Sequence, residues 1–137
     1  MSKVLVDTNV LVYAKDSSSI HHLPSLAILN GEYELYTTSK NLNEYYAVVT
    51  RGEKPLLSPA EALQDLKEFV SRFEILYPTE VSRQTLFDLV LKFQIKGLRI
   101  HDFEIASIAL INSIPLIATF NYSDFKALEG VEVMIPK

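Results

Sequence analysis

The chain of 137 residues contains no cysteine. This rules out disulfide staples, thiolate metal sites and a thiol nucleophile, and it suits a reducing compartment. Tryptophan is missing too, so bulky packing falls to seven Tyr and seven Phe. Positive charge is in short supply: 13 Lys and Arg stand against 17 Asp and Glu, a formal net charge of -4. A chain with that balance is no general polyanion binder, and any nucleic acid it handles must be held by local cations or through a metal. Only three apolar residues, Val4-Leu5-Val6, separate Lys3 from Asp7, too few for a secretory apolar segment. The longest uncharged apolar run, residues 105–120, is interrupted by Asn112, Ser113 and Pro115 and is too short to cross a bilayer. The expectation is a cytoplasmic protein with no membrane segment.

What remains is an ordinary globular composition, 48% hydrophobic and 22% charged, in a length that fits one domain over residues 1–137 with a sizeable core. Residues 4–6, apolar and twice β-branched, predict a short strand buried on both faces. Asp7 stops it, with turn and cap chemistry behind in Thr8 and Asn9. Residues 10–14 predict a short helix, 16–19 a polar loop, and 24–29 a helix stopped by Asn30 and Gly31. His21 and His22 are adjacent, which does not suit metal ligation, since paired His ligands on one element normally sit about three to five residues apart.

Residues 34–38 predict a second strand and 39–41 the entry to a helix with the stripe Leu42, Tyr45, Tyr46 and Val49. Asn41 and Glu44 have capping-box spacing, which makes Glu44 a first-turn residue. Ser58-Pro59-Ala60-Glu61 announces another helix, whose apolar face holds Ala62, Leu63, Leu66, Phe69, Val70 and Phe73. A third strand at 74–77 is closed by Pro78. Residues 79–96 predict a long helix with Leu86, Leu89, Val90 and Phe93 inward, ended by Gly97. An apolar helix at 103–112, a fourth strand at 115–119, a turn at 121–124, a helical turn at 125–128 and a fifth strand at 131–135 complete the chain. Strands alternating with helices, without hairpin signals, mean a parallel α/β sheet.

In such a sheet every strand ends on one edge, and each helix leading back to a strand begins there. Asp7 ends the first strand, Glu44 follows the second, Asp102 opens the helix that runs into the fourth, and Asp124 lies just beyond the fourth. All four carboxylates fall on one edge, near a switch point if strands one and four are neighbours. Taken singly, each reads equally well as a helix cap or a partner of a helix dipole. Taken together they need something positive among them, because carboxylates within about 5 Å repel by kilocalories even at an effective dielectric near 20. Lys40, Arg99 and Lys126 are one source, as an ion-pair network. A divalent metal is the other. All-oxygen ligands without Cys or an evident His pair suit Mg²⁺ or Mn²⁺ over Zn²⁺, and such an ion makes hydroxide from bound water and neutralises charge on a phosphodiester.

Four segments carry a resemblance: Val4-Leu5-Val6-Asp7-Thr8-Asn9, Asn43-Glu44, His101-Asp102-Phe103-Glu104-Ile105-Ala106 with the following Ser107-Ile108-Ala109, and Thr119-Phe120-Asn121-Tyr122-Ser123-Asp124-Phe125. Together they resemble the PIN domain, in an order and spacing most like the VapC toxins of bacterial and archaeal toxin-antitoxin pairs. The match runs from about Lys3 to the last strand. The resemblance implies a three-layer sandwich with a five-stranded parallel sheet, order 3-2-1-4-5, flanked by helices. It also implies a Mg²⁺- or Mn²⁺-dependent ribonuclease that cuts single-stranded or loop RNA to 5′-phosphate products. Asp7, Glu44, Asp102 and Asp124 would be the acidic metal ligands. Thr8, Asn9, Thr119 and Asn121 would be supporting polar groups, although some relatives carry an acid where this chain has Asn121. It further implies homodimers, and a cognate antitoxin whose C-terminal segment lies over the acidic cleft. Val10, Leu11, Tyr13, Tyr45 and Tyr46 are candidates to line that groove, with core packing as the plainer role for each.

Other folds that begin with a strand-terminal Asp fit less well. A haloacid-dehalogenase-like phosphatase needs a second Asp two residues later, where this chain has Asn9. A response-regulator receiver needs an Asp at the end of the third strand, where this chain has Tyr77-Pro78. A stand-alone PIN nuclease in RNA processing and a catalytically silent PIN-like binding module remain as alternatives to a toxin.

Overall fold

The computed structural model describes residues 1–126 and 128–137. Its centre is β1 (Ser2–Val6), where Val4, Leu5 and Val6 are completely buried. Val4 and Val6 belong to one apolar cluster and Leu5 to another. A strand that feeds helical layers on both sides has to be apolar throughout, and this run is. Five strands, β1, β2 (Tyr33–Thr38), β3 (Glu74–Leu76), β4 (Leu116–Ala118) and β5 (Glu132–Met134), form one sheet in the order β3-β2-β1-β4-β5. All neighbours are parallel, with Val4 opposite Leu35 on one side and Leu116 on the other. This is the expected sheet in the expected order.

The helices are α1 (Thr8–Lys15), α2 (His22–Leu29), α3 (Ser39–Thr50), α4 (Pro59–Arg72), α5 (Glu80–Phe93), α6 (Arg99–Ile111) and the short α7 (Tyr122–Phe125). Val10, Leu11, Ile28, Tyr45, Val49 and Phe73 cover one face of the sheet. Leu86, Phe103, Ala106, Ala109 and Phe125 cover the other. The chain runs from β1 outward to β2 and β3, then crosses back to β4 and β5. The edge at the ends of β1 and β4 is therefore the switch point, where parallel sheets open a crevice. Among the described residues no helix is long and apolar enough to cross a membrane.

Element boundaries depart from the pattern where side chains bond to backbone. Helix α1 begins at Thr8, not Val10, because Asp7 caps it by accepting from Thr8 N. Helix α2 begins at His22 and carries Pro24 within its first turn, where a missing N–H is harmless. Helix α5 stops at Phe93, short of Lys96, because Gln94 adopts a left-handed φ of 52° and its side chain bonds back to Leu91 O at 2.7 Å. Helix α6 starts at Arg99, so Asp102 is its fourth residue and not the residue before it. The helical turn expected at 125–128 lies at Tyr122–Phe125, and Ala127 falls outside the described residues. On α4 the buried stripe is narrower than the apolar one: Ala62 is buried while Leu63 and Val70 are exposed.

Candidate active site

Asp7 stands where β1 gives way to α1 and is only 4% exposed. Its amide still donates to Ala118 O at 3.0 Å, which extends the β1–β4 ladder one step and fixes the residue against the end of β4. Three donors converge on its carboxylate: Thr8 N at 2.8 Å and Asn41 Nδ2 at 3.1 Å on Oδ1, and Thr119 Oγ1 at 2.8 Å on Oδ2. Burial pushes the Asp7 pKa up. The bonds from Thr119, Thr8 N and Asn41 pull it back, and the charge of Asp124 pushes it up again.

Asn41 is the residue that pattern reading misassigned. It is not a cap paired with Glu44. Thr38 caps α3, its Oγ1 accepting from Asn41 N at 3.1 Å while Asn41 Oδ1 accepts from Thr38 N and Thr38 Oγ1 at 3.3 and 2.6 Å. The carbonyl end of the fully buried amide is thereby occupied, and its NH₂ reaches Asp7 and, at 2.9 Å, Thr8 Oγ1. The Thr38-x-x-Asn41 spacing carried this signal, with Asn in a place usually held by Glu or Gln. Glu44 is released from any capping role and sits sixth in α3, in its second turn and not its first.

Thr119 and Asn9 bind the end of β4 to the start of α1. Thr119 Oγ1, fully buried, accepts from Asn9 Nδ2 at 3.2 Å and from Asn121 N at 3.0 Å while donating to Asp7. Asn9 Oδ1 accepts from Phe120 N at 3.2 Å. Thr8 is 3% exposed and packs its hydroxyl on Asn41.

A cavity of about 310 Å³ opens on this edge, lined by Asp7, Thr8, Asn9, Val12, Tyr13, Glu44, Val48, Asp102 and Asn121. Asp7, Glu44 and Asp102 thus share one cavity. Asp124 is not in its lining, but it is half-buried on α7 and lies close enough to Asp102 to share a hydrogen bond when one of them is protonated. Asp102 is pushed up to about 7, first by desolvation, then by the charges of Asp7 and Asp124, the contact with Asp124, and the charge of Glu44. Glu44 is an exposed residue, yet loss of water around its carboxyl and then the charge of Asp7 raise its pKa, against smaller pulls from His101, Lys40 and Arg51. A larger groove of about 560 Å³ lies at the opposite edge, where the strands begin, lined by residues such as Met1, Tyr33, Arg72 and Glu74. Its acids are Glu34 and Glu74, with Arg72 beside them, and it holds none of the sheet's C-terminal ends.

The cations near the acids are engaged elsewhere. Lys40 Nζ pairs with Glu104 at 2.7 Å and lies 3.4 Å from His101 Nδ1. Arg99 lies over the Phe103 ring and Lys126 over the Tyr122 ring. Among the described residues the ion pairs are Lys40–Glu104 and Lys15–Asp65, and neither includes Asp7, Glu44, Asp102 or Asp124. An ion-pair network does not explain the acids. Their donor set is all oxygen, which fits a hard divalent cation. Among the described residues no three His, Asp or Glu side chains close to metal-ligand spacing. That is compatible with Mg²⁺, which keeps several waters and takes one or two carboxylates more often than a complete protein cage. Of the suggested groove residues, Val10, Leu11 and Tyr45 are wholly in the core, Tyr46 is half-buried against it, and Tyr13 alone lines the cavity.

A five-stranded parallel sheet with an acid-lined cavity at its switch point defines a class of α/β domain, and comparison says which. The sequence profile of the PIN domain matches residues 4–131; the chain belongs to the PIN-domain family. No curated protein matches it in sequence. Solved structures share the fold. VapBC2 from Rickettsia felis, bound to a DNA fragment from its promoter, is 22% identical over 96% of this chain and 97% of that one, with a TM-score of 0.73. DNA-bound VapBC from Salmonella typhimurium is 21% identical over 98% of both chains, at 0.70. VapC20 from Mycobacterium tuberculosis, a toxin that cleaves the sarcin-ricin loop, is 11% identical over 90% of this chain and 94% of that one, at 0.74.

Proposed function

We propose that this PIN domain is a divalent-metal-dependent endoribonuclease, acting in the cytoplasm as the toxin of a toxin-antitoxin pair. The observation that carries the reading is the convergence of Asp7, Glu44 and Asp102 on one cavity, with no ion pair to any of them among the described residues. Asp7, Glu44, Asp102 and Asp124 would hold the metal, Mg²⁺ or Mn²⁺, some of them through its bound waters. When bound, that ion lowers the pKa of a water and neutralises charge on the phosphodiester.

The chain's own residues prepare the site. Thr119, Thr8 N and Asn41 hold the Asp7 carboxylate in one orientation, so little reorganisation is left for the moment of reaction. Asn9 ties the segment after β4 to α1 and so keeps Asn121 at the cavity wall. Asp102, whose proton is held up to about pH 7 without a cation, gives it up when a positive charge arrives. The fold shared with VapBC complexes supports a protein partner, and we take the chain to be a homodimer bound by an antitoxin.

The deciding experiment is incubation of the purified chain with labelled single-stranded RNA in Mg²⁺, Mn²⁺ or chelator. Cleavage to 5′-phosphate ends with either metal, none in chelator and none for Asp102→Asn is the expected result. Metal-independent cleavage, or full activity in Asp102→Asn, refutes it. A small DNA-binding protein encoded immediately upstream separates a toxin from a stand-alone nuclease. Heat from Mn²⁺ titration that disappears in Asp7→Asn argues against a silent binding module.

A further inference from the structure

Three rings from separate parts of the chain meet at the mouth of the acidic cavity. Tyr13 comes from α1, His21 from the residue before α2, and Phe120 from the residue two beyond β4. The Phe120 ring lies edge-on to Tyr13 with centroids 5.3 Å apart, and tilted by 37° to His21 at 4.3 Å, while Tyr13 and His21 are 4.9 Å apart. The cluster is held by backbone as well as by ring contact. His21 N donates to Ser19 Oγ at 3.0 Å, His22 Nδ1 sits 2.9 Å from Tyr13 O, and Phe120 N donates to Asn9 Oδ1. All three rings are half-buried, and Tyr13 lines the same cavity as Asp7, Glu44 and Asp102.

We propose that this aromatic cluster, with Tyr13 as its cavity-facing member, is a stacking platform for a nucleobase of single-stranded RNA beside the phosphate to be cut. The proposal rests on the nuclease reading above. With a net charge of -4 and an acid-lined cavity, the RNA backbone has little to hold beyond a metal and a few cations, so contacts that carry no charge have to add to the grip. Bases splayed out of a single strand stack on aromatic rings irrespective of their identity. Rings already pinned by one another lose little freedom when a base arrives. The platform therefore acts on binding and not on the chemical step.

Two measurements on the full chain test this. In chelator, RNA carrying 5-iodouridine is irradiated on the wild-type protein and the attachment site is mapped by mass spectrometry. Attachment at Tyr13, His21 or Phe120 supports the platform, and attachment only elsewhere overturns it. In Mn²⁺, Tyr13→Leu should raise KM roughly five- to a hundred-fold with kcat within about threefold, while Tyr13→Phe stays near wild type. An unchanged KM in Tyr13→Leu overturns the platform and leaves the nuclease reading standing if the wild type cleaves RNA. A wild type that neither cleaves nor cross-links RNA overturns both. If Tyr13→Leu fails to fold, the cross-link map on the wild type decides alone.

Discussion

Replacing Asp102 by Asn should stabilise the protein at pH 8 and leave its stability at pH 3 almost unchanged. In the folded, metal-free chain the Asp102 carboxyl holds its proton up to about pH 7, whereas unfolded it loses it near 3.8. Between those values the folded state binds the extra proton. Stability from this group is therefore present below about pH 4, falls as pH rises, and is gone above about pH 7. The span from 3.8 to about 7 corresponds to roughly 4 kcal/mol if fully realised. Asp102 is half-exposed and water screens its neighbours, so about 1–2 kcal/mol is the reasonable expectation. Asn keeps the shape and removes the charge. For a chain of this length the gain corresponds to about 3–8 °C in Tm, measured by calorimetry in chelator at pH 8. At pH 3 the two melting temperatures should agree within about 1 °C, because the wild-type group is then mostly protonated in the folded and the unfolded chain alike. A variant less stable than wild type at pH 8, or an equal gain at both pH values, refutes the argument that repulsion and desolvation dominate at Asp102.

Adding Mn²⁺ at about a hundred times its Kd should stabilise the wild type by roughly 2.7 kcal/mol; Asp7→Asn should show much less, and equal stabilisation of both places the metal elsewhere. Asn41→Ala removes a donor from Asp7 and half of the α3 capping box, so urea unfolding should report a loss of about 1–3 kcal/mol; a neutral result contradicts the role given to this amide. RNA binding should weaken as salt is raised, through cations outside the cavity lining such as Arg51, Lys54, Arg99 and Lys126, with a shallow slope because they are few; a flat response removes them from the interface.

The strands were readable because a parallel sheet needs apolar runs, and residues 4–6 are wholly buried in the middle of it. Asp7 was readable because an acid directly after such a run has to emerge at the strand end. The network around it was not. Asn41 looks like ordinary helix-entry chemistry, and its work depends on a Thr38 side chain that occupies one end of the amide and on a partner 34 residues away. Helix ends were misjudged for a related reason: Gln94 ends α5 in a left-handed conformation although Gly97, three residues on, also has a positive φ and looks the more natural stop. The exposed Leu63 and Val70 belong to an apolar stripe broader than the helix contact it serves, and periodicity does not say how much of a stripe is covered.

Asp7 has a second consequence, which concerns timing. Its carboxylate is gripped by groups one, 34 and 112 residues distant along the chain, so the acidic pocket has no existence in a nascent or half-collapsed polypeptide and comes into being only when the last third of the sequence has docked. On the proposed reading, the nuclease is in this way inactive until synthesis and folding are nearly complete.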